Sequence, residues 1–155
     1  MTVRFECTTH SAMPIQQLFD LARSIDAHTG SMAKSRERAV AGTVTGLIGL
    51  GQEVTWRAWH FGVPLRMTSR VTAMDAPTSF TDEQVKGPFA RFRHVHLFRR
   101  HGDGTIMTDQ IEFSAPFGTL GLLVEKVVLA KYLRSLIEDR NRFLAGWDGK
   151  DSTAR

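Results

Sequence analysis

His94 and His96 are separated by one residue in the segment FARFRHVHLFRR, residues 89–100. If this segment is a β-strand, side chains two positions apart point to the same face and the two imidazoles lie side by side. Histidine titrates near neutral pH, and its neutral ring ligates divalent metals. The pair could therefore act as a general acid and base, bind a metal together with His60 or Asp109, or form a polar wall with Asp109 and water.

Two charged residues are expected to share an interior with these histidines. In residues 105–113, Asp109 falls on the strand face that is otherwise apolar. Arg140 falls on the apolar stripe of a predicted C-terminal helix, where an unpaired buried charge would be costly. We therefore expect Arg140 to pair with Asp109, with Glu112 as the second candidate.

The acid–base interpretation assigns roles to three residues. His94 or His96 would move a proton in an enolisation or dehydration, and Asp109 would orient the imidazole. The catalytic candidates are accordingly His94, His96 and Asp109. Two histidines are too few to define a metal site, so we predict neither a bound metal nor a cofactor.

Alternation along the strands also selects the side chains that would line an interior. The strand face that carries the two histidines carries Phe92 and Phe98, whereas the opposite face carries arginines. On an earlier strand, the face of Trp56 and His60 is the more apolar one. The residues predicted to contact a ligand are Trp56, His60, Phe92, His94, His96, Phe98, Asp109, Phe113 and Arg140.

The elements that position these residues follow from the hydropathy pattern. An alternating strand precedes two short helical segments, 14–25 and 26–34, and a run of antiparallel strands separated by turns begins at Glu53. One long amphipathic helix then extends to about Ala145, where Gly146 can end it. The predicted strands cover residues 3–9, 53–61, 65–74, 78–85, 89–100 and 105–115, and a further strand is favoured near the end of 35–44.

This order of elements predicts an α+β fold. A curved antiparallel sheet of six or seven strands would wrap around the long C-terminal helix, with two short helices after the first strand. A twisted sheet of this size does not close tightly on itself, so space remains beneath the helix. The pattern predicts a single domain over residues 1–147 with an internal cavity, followed by a disordered polar tail over residues 148–155.

The composition is typical of a globular protein and excludes several classes. The chain has 155 residues, of which 42% are hydrophobic and 23% charged, unlike a disordered chain or a coiled coil. It contains no apolar run of about 18 residues, and its first residues lack the apolar core of a signal peptide. A lone Cys7 excludes an internal disulfide. We therefore expect a cytoplasmic protein.

The net charge of +4 raises nucleic acid and anionic membranes as partners. Basic residues cluster between Glu83 and Asp103, in a strand that mixes arginine with aromatics. That strand lacks the glycines of an RNA-binding signature, and alternation places Arg91, Arg93 and Arg99 on a solvated face. We expect no nucleic-acid partner and at most transient contact with a membrane.

Four segments carry a resemblance to one family of cavity-forming proteins. They are LGQEVTWRAWHFG (50–62), SFTDEQVKGPFARFRHVHLF (79–98), GTIMTDQIEFSAPFG (104–118) and YLRSLIEDRNRFL (132–144). Over residues 3–145 the chain resembles the START/polyketide-cyclase superfamily, also called SRPBCC or birch-pollen-allergen-like helix-grip proteins. Within it, the chain is similar to small bacterial ligand-binding proteins of the cyclase/dehydrase-like subgroup. The resemblance implies a helix-grip fold and a cavity for a hydrophobic molecule or lipid, and no particular reaction.

The predicted function is binding of a hydrophobic or aromatic small molecule in an internal cavity, for transport or sequestration. The first alternative is an enzyme of the polyketide cyclase, aromatase or dehydratase type that uses the cavity histidines and Asp109. The second alternative is a protein or nucleic-acid interaction module without a small ligand. The expected partner is thus a hydrophobic small molecule, and a homodimer is compatible with each interpretation.

Overall fold

The computed structural model describes residues 2–115 and 122–147, so the predicted tail at 148–155 lies outside the described residues. The helices are α1 (Ile15–Ala22), α2 (Ile25–Ser31) and α3 (Leu122–Ala145), and a short 3-10 helix covers Ala33–Ser35. The strands are β1 (Thr2–Ser11), β2 (Arg38–Gly42), β3 (Glu53–His60), β4 (Val63–Asp75), β5 (Ser79–Lys86), β6 (Arg91–His101) and β7 (Gly104–Ser114).

Within residues 2–115 the strands form one antiparallel sheet of seven strands, in the order β1-β7-β6-β5-β4-β3-β2. The strands from β2 to β7 follow one another along the sheet, whereas β1 lies beside β7 at the far edge. Two short helices follow β1, and the long helix α3 comes last. The predicted α+β helix-grip architecture is confirmed, with seven strands.

The strands that carry candidate residues show the alternation that predicted them. Every second residue of β7 from Thr105 to Phe113 is buried, and β6 has the same pattern. Because alternate side chains point to opposite faces, these buried rows lie on the inner face of the sheet. The strand predicted to begin at residue 89 begins instead at Arg91, because residues 87–90 form a bend.

The helices cover the inner face of the sheet. α1 buries one side, formed by Ile15, Leu18, Phe19 and Ala22, and it packs against β6, β7 and α3. α3 packs against β1, α1 and α2. In the part of the chain that the structure describes, no helix is long and apolar enough to span a membrane.

The buried apolar side chains of the described residues form two clusters, and a polar layer separates them. Along β6, Phe92 belongs to one cluster and Phe98 to the other, so His94 and His96 lie between them. On β7 and on α3 as well, buried polar residues lie between a residue of one apolar cluster and a residue of the other. The fold therefore gathers the buried histidines and their polar partners at one level of the interior.

Candidate functional site

A cavity of about 230 Å³ lies between the inner face of the sheet and α3. Its walls are mostly apolar, with contributions from β3, β4, β6 and α3. Part of the predicted ligand-contact set lines this cavity: Trp56, His60, Phe92, His94, His96 and Arg140.

The other predicted contacts, Phe98, Asp109 and Phe113, are not among the side chains that line the cavity. Phe98 packs edge-on against Phe19 with ring centroids 5.4 Å apart, and Phe113 packs against Phe89 at 5.6 Å. Both rings therefore fill the apolar clusters. Asp109 lies behind the histidines and is 0% exposed. Strand alternation selected the correct face, but these side chains lie deeper than the cavity surface.

Asp109 is the centre of the buried polar layer. Its Oδ1 accepts a hydrogen bond from His94 Nε2 at 2.7 Å, and its Oδ2 accepts one from Asn141 Nδ2 at 2.7 Å. His96 Nδ1 lies 3.1 Å from Oδ1 but is not aligned as a hydrogen bond. Because Asp109 pairs with His96 in the β6–β7 register, its carboxylate lies directly beside both imidazoles. A single carboxylate thus links β6 to α3.

Arg140 reaches the same carboxylate from α3. Its Nη1 lies 3.5 Å from Asp109 Oδ1 and donates to Asn141 Oδ1 at 3.2 Å. Its Nη2 donates to the carbonyl of Ala22 at 3.0 Å. The predicted pairing of Arg140 with Asp109 is confirmed, whereas Glu112, the second candidate, forms ion pairs with surface arginines.

Asp82 on β5 is a site residue that the sequence analysis missed. Its Oδ2 accepts a hydrogen bond from His96 Nε2 at 2.8 Å, and its side chain, 22% exposed, lines the cavity. His96 therefore lies between two carboxylates, with Asp82 at Nε2 and Asp109 near Nδ1. The available signal was the spacing of Phe80 and Asp82, which places them on one strand face. It becomes informative only once β5 is known to pair with β6.

Burial and the neighbouring histidines act in opposite directions on the two carboxylates. Burial alone would raise the pKa of Asp109, but its contacts with His94 and His96 outweigh burial and hold that pKa well below its ordinary value. Burial would likewise raise the pKa of Asp82, but the hydrogen bond from His96 outweighs it, so this pKa is also lowered. Both carboxylates are therefore ionised at neutral pH.

His94 offers a lone pair to the cavity. Burial lowers the pKa of His94, and the neighbouring His96 lowers it further, so the imidazole is neutral at neutral pH. Because an ionised Asp109 can only accept, His94 Nε2 carries the proton and Nδ1 is left as an acceptor. Among the side chains of residues 2–115 and 127–147, none is hydrogen-bonded to Nδ1. The arrangement presents a neutral imidazole, oriented by a carboxylate, to a molecule in the cavity.

His60 lines a different part of the cavity and does not contact the polar layer. Its Nδ1 lies 2.7 Å from the hydroxyl of Tyr132, and burial lowers its pKa. Phe61, 71% exposed, packs against Tyr132 with ring centroids 4.6 Å apart. Because Phe61 and Tyr132 also line the cavity, this group borders its opening to solvent. His60 is therefore not placed to complete a metal site with His94 and His96.

Trp56 forms a third part of the wall. Its indole packs against the ring of His28 with centroids 4.2 Å apart and the ring planes tilted by 33°. His28 Nε2 in turn lies 2.8 Å from Glu37 Oε1, which ties the two rings to the segment before β2. Trp56 thus has a fixed orientation as a flat apolar surface.

Comparison with known proteins identifies solved structures that have a similar fold. No family model and no curated protein sequence match the chain. The structure is similar to Zhui aromatase/cyclase from Streptomyces sp. R1128, with a TM-score of 0.76 and 12% identity over 94% of this chain and 93% of that one. It is similar to TTHA0849 from Thermus thermophilus, with a TM-score of 0.69 and 18% identity over 93% and 97%. It is also similar to Ara h 8.0201, with a TM-score of 0.63 and 16% identity over 93% and 98%.

At these identities the similarities show the fold alone. The chain has the helix-grip fold of the SRPBCC, birch-pollen-allergen-like proteins, as the sequence resemblance predicted. In its interior a polar layer, buried except for the partly exposed Asp82, brings together Asp82, His94, His96, Asp109 and Arg140 beside the cavity.

Proposed function

We propose that this protein binds a hydrophobic or aromatic small molecule in the cavity beneath α3. The observation that carries the proposal is a largely apolar cavity bordered by one polar layer, which includes His94, His96 and Arg140. Transfer of an apolar ligand from water to such walls is favourable, and a few polar groups then fix the ligand's orientation. Transport or sequestration follows naturally from such enclosure.

The polar layer favours a neutral ligand that carries a hydroxyl group. His94 Nδ1 and the ionised Asp82 both accept hydrogen bonds, whereas the guanidinium of Arg140 already bonds to Ala22 and Asn141. In the polar layer a ligand carboxylate would meet the negative charge of Asp82, while both terminal nitrogens of Arg140 already have protein partners. A phenol or alcohol can donate to either acceptor, so we expect this class to bind best.

The direct test compares native and denatured mass spectra of the freshly purified protein. A discrete mass that is lost on denaturation would support the proposal, and its value would indicate the chemical class. Binding of 2-naphthol and 2-naphthoate is then measured by fluorescence titration. We expect 2-naphthol to bind at least about tenfold more tightly, which is about 1.4 kcal/mol.

A matched pair of variants locates the binding. Ala58 is buried and lines the cavity, so Ala58→Leu fills the ligand's space. Ala41 lies exposed on β2, so Ala41→Leu adds the same side chain outside the cavity. We expect Ala58→Leu to weaken 2-naphthol at least about tenfold and Ala41→Leu to leave it unchanged. Equal effects, or no binding of either naphthalene to the wild type, would contradict the proposal and favour an interaction module.

A second candidate function is an enzyme of the cyclase, aromatase or dehydratase type. The observation that favours it is the hydrogen bond of 2.7 Å between His94 and Asp109, which leaves a neutral imidazole as a base beside the cavity. In this mechanism His94 Nδ1 would remove a proton from the carbon next to a substrate carbonyl, and Asp109 would stabilise the imidazolium. One structural neighbour is named an aromatase/cyclase, which supports cyclisation or aromatisation chemistry as the alternative.

A further inference from the structure

Asp82, His94 and His96 bring three potential metal ligands together beside the cavity. One potential ligand atom from each residue lies within 4.8 Å of the other two. The three side chains come from β5 and β6 and all line the cavity. Two imidazoles and one carboxylate form a donor set that suits divalent transition metals such as Zn²⁺, Co²⁺ and Fe²⁺.

Asp109 has the position of a carboxylate that supports metal-ligating histidines from behind. Its Oδ1 lies 2.7 Å from His94 Nε2 and 3.1 Å from His96 Nδ1, so it approaches one ring nitrogen of each imidazole. The other nitrogen of each ring is then available to a metal. Such an outer carboxylate commonly fixes the tautomer and orientation of ligating histidines.

A metal could enter this site after a local movement of its side chains. His96 Nε2 and Asp82 Oδ2 are 2.8 Å apart. Two ligand atoms on one tetrahedral metal, each about 2.1 Å from it, are about 3.4 Å apart. The pair must therefore separate by roughly half an ångström. The stacked rings of His94 and His96, with centroids 3.7 Å apart, must also rotate apart, and the adjoining cavity provides the space.

The charges of the layer also favour a cation. Asp82 and Asp109 contribute two formal negative charges and Arg140 one formal positive charge, so these three side chains together carry one net negative charge. Because this charge is buried, a balancing cation is strongly favoured. A metal ion bound at this layer would provide it.

We propose that Asp82, His94 and His96 bind a divalent transition metal ion, with Asp109 as the outer carboxylate that orients both histidines. Asp82 would bind through its carboxylate, His96 through Nε2 and His94 through the ring nitrogen that Asp109 leaves free. The remaining coordination positions would face the cavity, where an oxygen of a bound molecule or a water could occupy them. A metal there would use the lone pair of His94, so the metal-bound form could not use that residue as a base.

The test uses the full chain after treatment with EDTA and titration with Co²⁺ alone. Equilibrium dialysis gives the stoichiometry and affinity, and the visible absorption of Co²⁺ reports on its coordination. We expect one site per chain, with Asp82→Asn and His96→Gln each weakening it at least about tenfold. His101→Gln is the control, because His101 and His10 form a surface pair with ring centroids 5.8 Å apart that could bind metal adventitiously.

The results of these measurements distinguish a built metal site from adventitious binding. The inference is overturned if no stoichiometric site exists, if Asp82→Asn binds Co²⁺ like the wild type, or if His101→Gln removes the binding. If Asp82→Asn does not fold, His94→Gln takes its place, since its amide can still donate to Asp109. No organic ligand is needed, so the metal site can fail while naphthol binding succeeds, and the reverse.

Discussion

His94 Nε2 and Asp109 Oδ1 lie 2.7 Å apart, on neighbouring strands and in a layer where both side chains are almost entirely withdrawn from solvent. The carboxylate holds the imidazole in one tautomer, while Asn141 and Arg140 hold the carboxylate from α3. This contact therefore fixes both the position of the buried carboxylate and the tautomer of His94.

The stability role is tested by Asp109→Asn, which keeps the shape but removes the charge. Arg140 would be left as a buried cation without its carboxylate, and this loss costs about 3 kcal/mol or more. Asp20→Asn is the control, since Asp20 is a partly exposed carboxylate bonded to Gln16 and Arg23. We expect Asp20→Asn to lower the free energy of unfolding by less than about 1 kcal/mol. Urea unfolding measures both, and similar losses would contradict a special role for Asp109.

The enzyme and carrier interpretations predict different effects of His94→Gln. In an enzyme, loss of the base lowers turnover about 100-fold or more, while ligand affinity changes only a few-fold. In a carrier, there is no turnover to lose, and affinity falls because a hydrogen-bond acceptor at Nδ1 is replaced. The measurements are steady-state kinetics on a candidate cyclisation substrate and 2-naphthol titration of the same variant. Retained turnover in His94→Gln would exclude His94 as the base.

His60 predicts a pH dependence of stability. Burial lowers the pKa of His60, so the folded chain binds this proton less tightly than the unfolded chain does. Its contribution to stability is thus complete above the ordinary pKa of about 6.5 and is lost as the pH falls through the lower, folded value. His60→Gln removes this contribution while its amide can still bond to Tyr132. We expect the variant to lose less stability than the wild type between pH 8 and pH 5, roughly the range in which histidine titrates. Identical urea-unfolding profiles would refute the prediction.

Gly104 is required where β1 and β7 begin to pair. A Cβ at this position would lie 2.2 Å from the backbone oxygen of Ser11, which cannot move without disturbing the strand. We expect Gly104→Ala to cost about 2 kcal/mol. At Gly49 the nearest atom to an added Cβ is the side-chain Oε1 of Gln52 at 3.4 Å, so Gly49→Ala should change stability by less than about 0.5 kcal/mol. Thermal unfolding of both variants tests the difference, and equal midpoints would count against it.

The sequence by itself indicated where the strands lie, though not all of their ends, and which face of β6 and β7 turns inward. That information is local, because side chains alternate with a period of two wherever a strand forms. The inward placement of His94, His96 and Asp109 could be predicted for this reason. The pairing of Arg140 with Asp109 could be predicted as well, since a charge on an apolar helix face needs an opposite charge.

Only the tertiary structure decided which inward residues reach the cavity and which partners they meet. Asp82 meets His96 because β5 lies beside β6 in a particular register, and Phe98 and Phe113 are packed away from the cavity by rings on other elements. His60 meets Tyr132 because α3 crosses the sheet near the end of β3. Alternation specifies a face but neither lateral register nor depth, and these depend on contacts between residues far apart in the chain.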